Sequence, residues 1–425
     1  MATSSSMVNR GVLATVLAGV GLSLWGAWRW LWDPSAWSQV VAGLLLSLGT
    51  LLYWLKTRPA DQLVVEPKGW GIGRNTLEHW VIQAEFVARN LNPLFEVTLA
   101  QVQPRLHLLS AGSLEGIDTR LRLRSRHPDL PPRQDNYWQA YILTPQSQTG
   151  LEVEIELKGK GLADLRSAWL QLDYIQYGRQ RRTLKSSHLI LPLQEVDPLP
   201  ELNWQQQGSL LWAAVPTHLL TPSDDLAEVL RRYVGPHIQP GDMVAISESA
   251  VAIVQGNFRH PLQVQPGWLA RTLCYFFPSK TSLSSCYGMQ TLIDCSGAWR
   301  VVWAFVVGSL AKLLGIPGVF YALAGEQADL IDDVTGTLPP YDQFIVLGPR
   351  DPAKLVGDLH RQTGYEVAIV DANDLGQVKI LAASPGVERE LVEQALGKNP
   401  AGNAAEQTPL VLIRKMTRKL PGSDR

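Results

Sequence analysis

The chain has 425 residues and a formal charge of -1. That length accommodates two or three domains, and the near-neutral balance excludes a general electrostatic nucleic-acid binder. Hydrophobic residues make up 46% of the chain and charged residues 18%, with 15 tryptophans, so a folded protein with some membrane character is expected. The three cysteines, Cys274, Cys286 and Cys295, form no CxxC pair. They read as reduced structural thiols rather than disulfides or a zinc site.

In chain order, Gly11 to Trp32 and Ala36 to Leu55 are each apolar and about as long as the ~20 residues that cross a bilayer core. Asp33-Pro34-Ser35 separates them as a tight polar turn, and Trp25, Trp28, Trp30, Trp32 and Trp37 gather around it. The pattern predicts a transmembrane helical hairpin over residues 1-60 with an aromatic belt at the turn. A cleaved signal peptide is the rival reading, but its apolar region should be shorter and no second span should follow. Arg10, Lys56 and Arg58 flank the hairpin, so the positive-inside bias places both ends and all later domains in the cytoplasm. The expected location is therefore a multi-pass membrane protein whose partner is the lipid bilayer.

Residues 61-200 change to short runs of period two. Phe95 to Leu99, Arg120 to Arg124, Leu151 to Leu157 and Trp169 to Tyr174 alternate, with turn clusters between them. Alternation gives each strand one buried and one wet face, and several such strands predict an immunoglobulin-like β-sandwich. Gly69-Trp70-Gly71-Ile72-Gly73 lacks a βαβ setting and is not read as a phosphate loop. Arg120, Arg122, Arg124 and Arg126 share a basic face, readable as a lipid-headgroup contact or as a solvated strand face.

Residues 201-416 form the third unit, after a polar linker at Leu199-Pro200 and Gln205 to Gly208; residues 417-425 read as a flexible tail. Thr221 is expected to cap a helix with Pro222 at its first position, ending at Gly235-Pro236. Pro240-Gly241-Asp242 then turns into a strand from Met243 to Ser247. Trp299 to Leu323 is apolar but interrupted by Arg300 and Lys312. It reads as a core or subunit-packing helix, with an interfacial helix on the bilayer as the alternative.

Gln343 to Leu347 is a buried-type strand, followed by a turn at Gly348-Pro349-Arg350 and a helix opened by Asp351 and Pro352. Glu366 to Val370 is the next strand, ending in Asp371-Ala372-Asn373-Asp374-Leu375-Gly376. Read as a βαβ unit, this places the Gly348 turn and the Asp371 loop at one carboxyl edge of a parallel sheet, where open α/β sheets bind ligands. Gly348, Arg350 and Asp351 are then the candidate cofactor-binding residues, at a helix N-terminus suited to an anion. Asp371, Asn373 and Asp374 are the candidate metal ligands, with Asp332 and Asp333 behind them, since hard oxygen donors suit magnesium or manganese. The alternative is that these segments are a turn and a solvated acidic loop.

Asp224-Asp225-Leu226-Ala227 and Gly241-Asp242, within Val215 to Gly256, resemble the opening of the coenzyme F-420 gamma-glutamyl (L-glutamate) ligase family. The family continues with a Ser-Lys strand end and a Glu-Gly pair. This chain has Ser247-Glu248 and Gln255-Gly256, one charge reversed and one removed. The resemblance covers about residues 215 to 414 and implies an α/β or α+β ligase-like domain, divergent and membrane-anchored. It also implies GTP and Mg2+ or Mn2+ as cofactors, an amino-acid substrate joined to an acidic acceptor, and a homodimer. Two functions stand open: a GTP-dependent acid-amino-acid ligase, and a non-catalytic membrane-anchored scaffold that kept the fold. The sequence identifies no catalytic residue.

Overall fold

The computed structural model describes residues 2-57, 62-178, 182-194, 196-197, 201-279, 281-332, 338-372, 378-397, 400, 402 and 407-416. Helices α1 (Ala2–Trp30) and α2 (Trp37–Thr57) form a hairpin around a short 3-10 turn, Pro34–Ala36. Asp33 caps that turn by accepting from the Ser35 N–H and pairs with Arg29 at 3.0 Å, which offsets the one charge near the end of α1. Small residues set the helix spacing. A Cβ on Gly43 would collide with Ser23 and Gly19, and the Ser23 hydroxyl donates across the pair to the Val40 carbonyl at 3.2 Å. The outward surface is apolar, with Trp25, Trp28, Trp32 and Trp37 all more than half exposed. Among the described residues one helix, Pro34–Leu52, has the length and apolarity of a membrane span.

The next unit is a two-sheet sandwich built from β1 (Leu63–Thr76), β2 (His79–Asn90), β3 (Val97–Ser110), β4 (Asp118–Arg126), β5 (Tyr141–Leu143), β6 (Gln148–Lys158), β7 (Leu165–Tyr177) and β8 (Arg182–Pro192). One sheet runs β1-β2-β6-β4 and the other β5-β3-β7-β8, with antiparallel pairing throughout. Inward residues such as Ile82, Phe86, Leu99, Leu151, Ile155 and Leu170 fill the space between them, as the period-two runs predict. The glycine-rich Gly69 to Gly73 stretch lies within β1.

The arginine face of β4 has a partner on its own sheet. Register sets Arg120, Arg122 and Arg124 opposite Glu156, Glu154 and Glu152 of β6. Arg122 pairs with Glu154 at 3.1 Å, and Arg126 grips the buried Glu152 through its Nε at 2.8 Å. The charge is largely neutralised within the sheet, which favours the strand-face reading over the lipid contact.

The C-terminal unit contains β9 (Gln205–Gln207), β10 (Leu210–Val215), α3 (Leu226–Val229), β11 (Met243–Ser247), α4 (Glu248–Val254), β12 (Phe258–Arg259), α5 (Trp268–Leu273), α6 (Cys286–Ser296), α7 (Ala298–Leu313), α8 (Val319–Ala324), β13 (Ile345–Val346), α9 (Pro352–Thr363), β14 (Glu366–Ala372), β15 (Val378–Ala383), α10 (Arg389–Leu396) and β16 (Leu410–Lys415). Its six-stranded mixed sheet has the order β15-β14-β11-β16-β10-β9, and β11 with β14 is its parallel pair. Apolar clusters cover both faces: Leu230, Tyr233 and Leu359 on one, Val392, Ala395 and Leu396 on the other.

Three sequence expectations are corrected here. Gln205 to Gln207 is an edge strand on β10 rather than free linker. Asp225, not Thr221, caps the helix, accepting from the Ala227 and Glu228 N–H groups. The apolar run at 343-347 does not pair in parallel with β14. Its strand, β13, pairs antiparallel with β12 in a separate two-stranded sheet, and the parallel partner of β14 is β11. Helix α9 is present as expected, opened by Pro352 and closed by Gly364 at φ +75°.

Two contacts position the sheet. Asp242, 2% exposed at its side chain, enters β11 gripped by Arg414 of β16, at 2.9 Å from Nε and 2.7 Å from Nη2. That guanidinium also donates to the His237 carbonyl and lies 4.6 Å from the centre of the Trp204 ring. The second contact joins the units. Trp169 and Ile190 of the sandwich share a cluster with Leu219, Ile253, Tyr341 and Phe344. His188 stacks on His260 at 4.4 Å, and the Gln263 amide donates to the Ser186 carbonyl at 2.8 Å. Burial, then His260, pushes the His188 imidazole down to about 3, so it is neutral across the physiological range.

Removing one partner of a buried pair strands the other charge, at a cost of about 3–5 kcal/mol. Arg414→Ala is expected to lower stability by roughly that amount. Combining it with Asp242→Leu should restore part of the loss. Thermal unfolding of the three proteins in one detergent checks both statements.

Candidate functional site

The parallel ladder fixes the centre of the site. Ser247 lies opposite Val370, so Glu248, the first residue of α4, and Asp371, the next residue of β14, both fall at the carboxyl edge, near enough for Asp371 to act on the Glu248 carboxyl. On the other flank of β14, Asp371 faces Lys379 of β15. Asp332 arrives from a separate direction. Its backbone pairs with Val346 in an isolated bridge, with both hydrogen bonds 2.8 Å long. Lys379 Nζ reaches Asp329 at 3.3 Å.

Glu248 is 7% exposed, and its Oε2 has no hydrogen-bond partner. Burial pushes its carboxyl up to about 9, with Asp371 and then Asp332 adding to the shift and Lys379 opposing it. Burial, reinforced by Asp371, lifts Asp332 to about 6. Asp371 is raised as well, chiefly by burial, against the pull of Lys379. At neutral pH the edge therefore holds a protonated Glu248 and a largely ionised Asp332, with Asp371 and Lys379 next to them. A protonated carboxyl can donate a hydrogen bond, and an ionised one can accept a proton or bind a cation. Among the described residues no three His, Cys, Asp or Glu side chains are grouped closely enough to hold a metal ion.

The structure brings Asp371 and Asp332 to one edge. Asn373, Asp374 and Asp333 lie outside the described residues. Glu248 stood out in the sequence only as a departure from the resembled family, and neither it nor Lys379 was a candidate site residue. The available signal was Glu248 itself, a charge following an apolar strand where the resembled family has lysine.

Gly348, Arg350 and Asp351 sit beyond β13 on a turn laced to residues 255-257. The Gly348 N–H donates to Gln327 Oε1 at 2.8 Å, and its carbonyl accepts from Asn257 Nδ2 at 2.6 Å. Gln255 accepts from the Arg350 N–H at 2.6 Å and donates to the Arg350 carbonyl at 2.9 Å. The Arg350 guanidinium closes on the Gln255 carbonyl. An amide serves both directions where a carboxylate could only accept, so Gln255 has a structural reason to be Gln. Both backbone N–H groups of this turn already have protein partners. Asp351 precedes α9 at φ +47° without a side-chain capping bond.

The residues that carry the resemblance act locally. Asp224 accepts from the Thr221 N–H at 2.7 Å and hydroxyl at 2.9 Å, and lies 2.9 Å from His218 Nε2. His218 Nδ1 in turn lies 2.8 Å from the Tyr233 hydroxyl. Asp225 caps α3, Gly241 turns at φ +90°, and Asp242 holds Arg414.

Folded Glu248 keeps a proton that the unfolded chain gives up near its ordinary value of 4.5. Its effect on stability is therefore most favourable below 4.5 and is lost as pH rises towards 9, at about 1.4 kcal/mol per pH unit. Glu248→Gln is expected to flatten this decline and to leave the protein more stable than wild type at pH 8. Parallel thermal scans in chelator between pH 5 and 9 check it. A wild-type profile as flat as that of the variant would contradict the burial of Glu248.

Residues 64–195 match the family model described as the N-terminal Ig-like domain of F420-0:gamma-glutamyl ligase. The match coincides with the β-sandwich and spans less than half of the chain. No curated protein matches the chain. Among solved structures, the chain is similar to the GAE domain of GGA2p from Saccharomyces cerevisiae, at 9% identity and a TM-score of 0.20, over 31% of this chain and 90% of that one. It is also similar to a FixG-related protein from Vibrio parahaemolyticus, at 11% identity and a TM-score of 0.17, over 32% and 99% of the two chains. By the family model, the sandwich is similar to the Ig-like domain at the N-terminus of F420-0:gamma-glutamyl ligase.

Proposed function

We propose that this protein is a membrane-anchored, divergent relative of the F420-0:gamma-glutamyl ligases, with a divalent-cation site at the Glu248–Asp371 edge of its C-terminal domain. The observation that carries the reading is the buried Glu248 carboxylate oxygen without a partner, set beside Asp371 and Asp332 at the end of the parallel pair. A hard cation would displace the Glu248 proton and give that oxygen a ligand. Asn373 and Asp374, two and three residues beyond Asp371, would complete an oxygen set suited to Mg2+ or Mn2+. The matched Ig-like domain and the Asp224-Asp225 and Gly241-Asp242 motifs support the ligase relationship.

In this reading bound GTP would supply the phosphoryl group that makes the acceptor carboxylate reactive, with GDP and then phosphate as leaving groups, and the cation would supply positive charge against the phosphates. The chain's own residues would do the remainder. Asp332 and Asp371 would orient the ammonium of the incoming amino acid or take its proton. Lys379 would draw the carboxylate of a substrate toward the same edge. Both α1 and α2 would span the bilayer, with Arg10, Lys56 and Arg58 holding the two ends and the later domains on the cytoplasmic side.

The scaffold reading also has a specific observation behind it. The N–H groups of Gly348 and Arg350, candidates to cradle phosphate, are already bonded to Gln327 and Gln255. Titrating the full chain in detergent with MnCl2, then with GTP, separates the two. A cation site should raise stability by about 2.7 kcal/mol at a hundredfold excess over its dissociation constant. Glu248→Gln and Asp371→Asn should each abolish the gain. A further gain from GTP supports the ligase, whereas a cation response indifferent to GTP supports the scaffold. No response to Mn2+ or Mg2+ would remove the site.

A further inference from the structure

Helix α7 has no polar side. Val301, Ala304 and Gly308 are buried against the protein, and α8 packs so closely that a Cβ on Gly308 would lie 2.9 Å from Phe320. On the opposite side Trp299, Trp303, Val306, Leu310 and Leu313 are 79%, 56%, 47%, 57% and 84% exposed. At 3.6 residues per turn these five fall within about 80° of arc, one continuous stripe. Phe276, 65% exposed, makes an edge contact with Phe305 on the flank of α7 at 5.1 Å, and the neighbouring Tyr275 is 87% exposed. An apolar surface of this extent marks an interaction site rather than ordinary solvent-facing structure.

We propose that the α7 face rests in the interfacial layer of a bilayer carrying anionic headgroups. Charge selects this occupant. From residue 249 to 325 the only acidic residue is Asp294, and it is paired with Arg259 at 3.1 Å. Arg271, Lys280, Arg300 and Lys312 belong to the same stretch without an acidic counterpart in the sequence. A second copy of this face would add to that positive charge and bring no further carboxylate from this stretch to offset it. Anionic headgroups supply that counter-charge. The two tryptophans suit the headgroup level, where amphipathic rings concentrate.

Length argues for lying in the interface rather than crossing. The uncharged run from Val301 to Ala311 is shorter than the ~20 residues a span requires. Helix α6 cannot extend it, because the two axes turn by 112° at Gly297, which has φ +87°. The inference concerns a face remote in sequence from the hairpin and does not depend on the ligase reading.

The test uses the full chain with Cys274, Cys286 and Cys295 replaced by Ser and one new cysteine carrying an environment-sensitive fluorophore. The label goes at Trp303→Cys, Leu310→Cys or, as an exposed control, Glu228→Cys. Each protein is placed in phosphatidylcholine vesicles with and without phosphatidylglycerol. Labels at 303 and 310 should shift to the blue, lose intensity to nitroxides on the lipid acyl chains, and resist iodide; the label at 228 should do none of these. The shift should weaken without phosphatidylglycerol. Iodide access at 303 and 310 in vesicle-bound protein would overturn the proposal while leaving the hairpin anchor intact. Protection from iodide without quenching by lipid nitroxides would also overturn it, because protein would then cover the face.

Discussion

The parallel ladder between β11 and β14 decides where the charges of the C-terminal domain fall. Asp242 starts β11, held by Arg414 from the neighbouring strand. Five residues later the strand ends, and Glu248 is delivered beside Asp371. A slip of one residue would turn Met243 to Ser247 over and bring the wrong faces into the cores on either side of the sheet. The apolar packing above and below therefore fixes the position of an acidic pair that would not assemble unaided. Two carboxylates in a poorly hydrated edge cannot both ionise cheaply, so one keeps its proton.

The residues that make the sequence resemble a ligase are occupied with construction. Asp224 folds the entry loop, Asp225 opens α3, Gly241 makes the turn and Asp242 docks the strand. Each has a local structural task in the framework. They specify a framework. The chemistry this framework can support depends on Glu248, Asp332, Asp371 and Lys379, two of which attract little notice in the linear chain.

Much of the architecture was legible because it is written locally. Period-two alternation located the sandwich strands, and Pro352 with Gly364 bounded α9. The pairing of strands was not legible. Ile345 and Val346 are as apolar as Ala245 and Ile246, and nothing in either run says which will lie beside β14. That choice is made by packing between segments more than a hundred residues apart, where local propensity carries no information. The same limit hid the site. Asp371 and Asp332 were recognisable as acidic loop residues, but Glu248 gains its meaning from a neighbour 123 positions away in the chain. The basic face of β4 shows the reverse case: four arginines stood out in the sequence, and the glutamates of the adjacent strand offset them.

The cluster that joins Trp169 and Ile190 to Leu219, Ile253, Tyr341 and Phe344 bears on how the chain can be divided. It is a small core supplied from both sides of residue 200, with His188 and His260 stacked within it. A polypeptide begun at residue 201 would leave Phe344 and His260 facing water, and one ended at 200 would do the same to Trp169. The sandwich and the mixed sheet are therefore not interchangeable modules on a string. They should unfold as a pair, and a substitution on either side of their seam should be felt in the other.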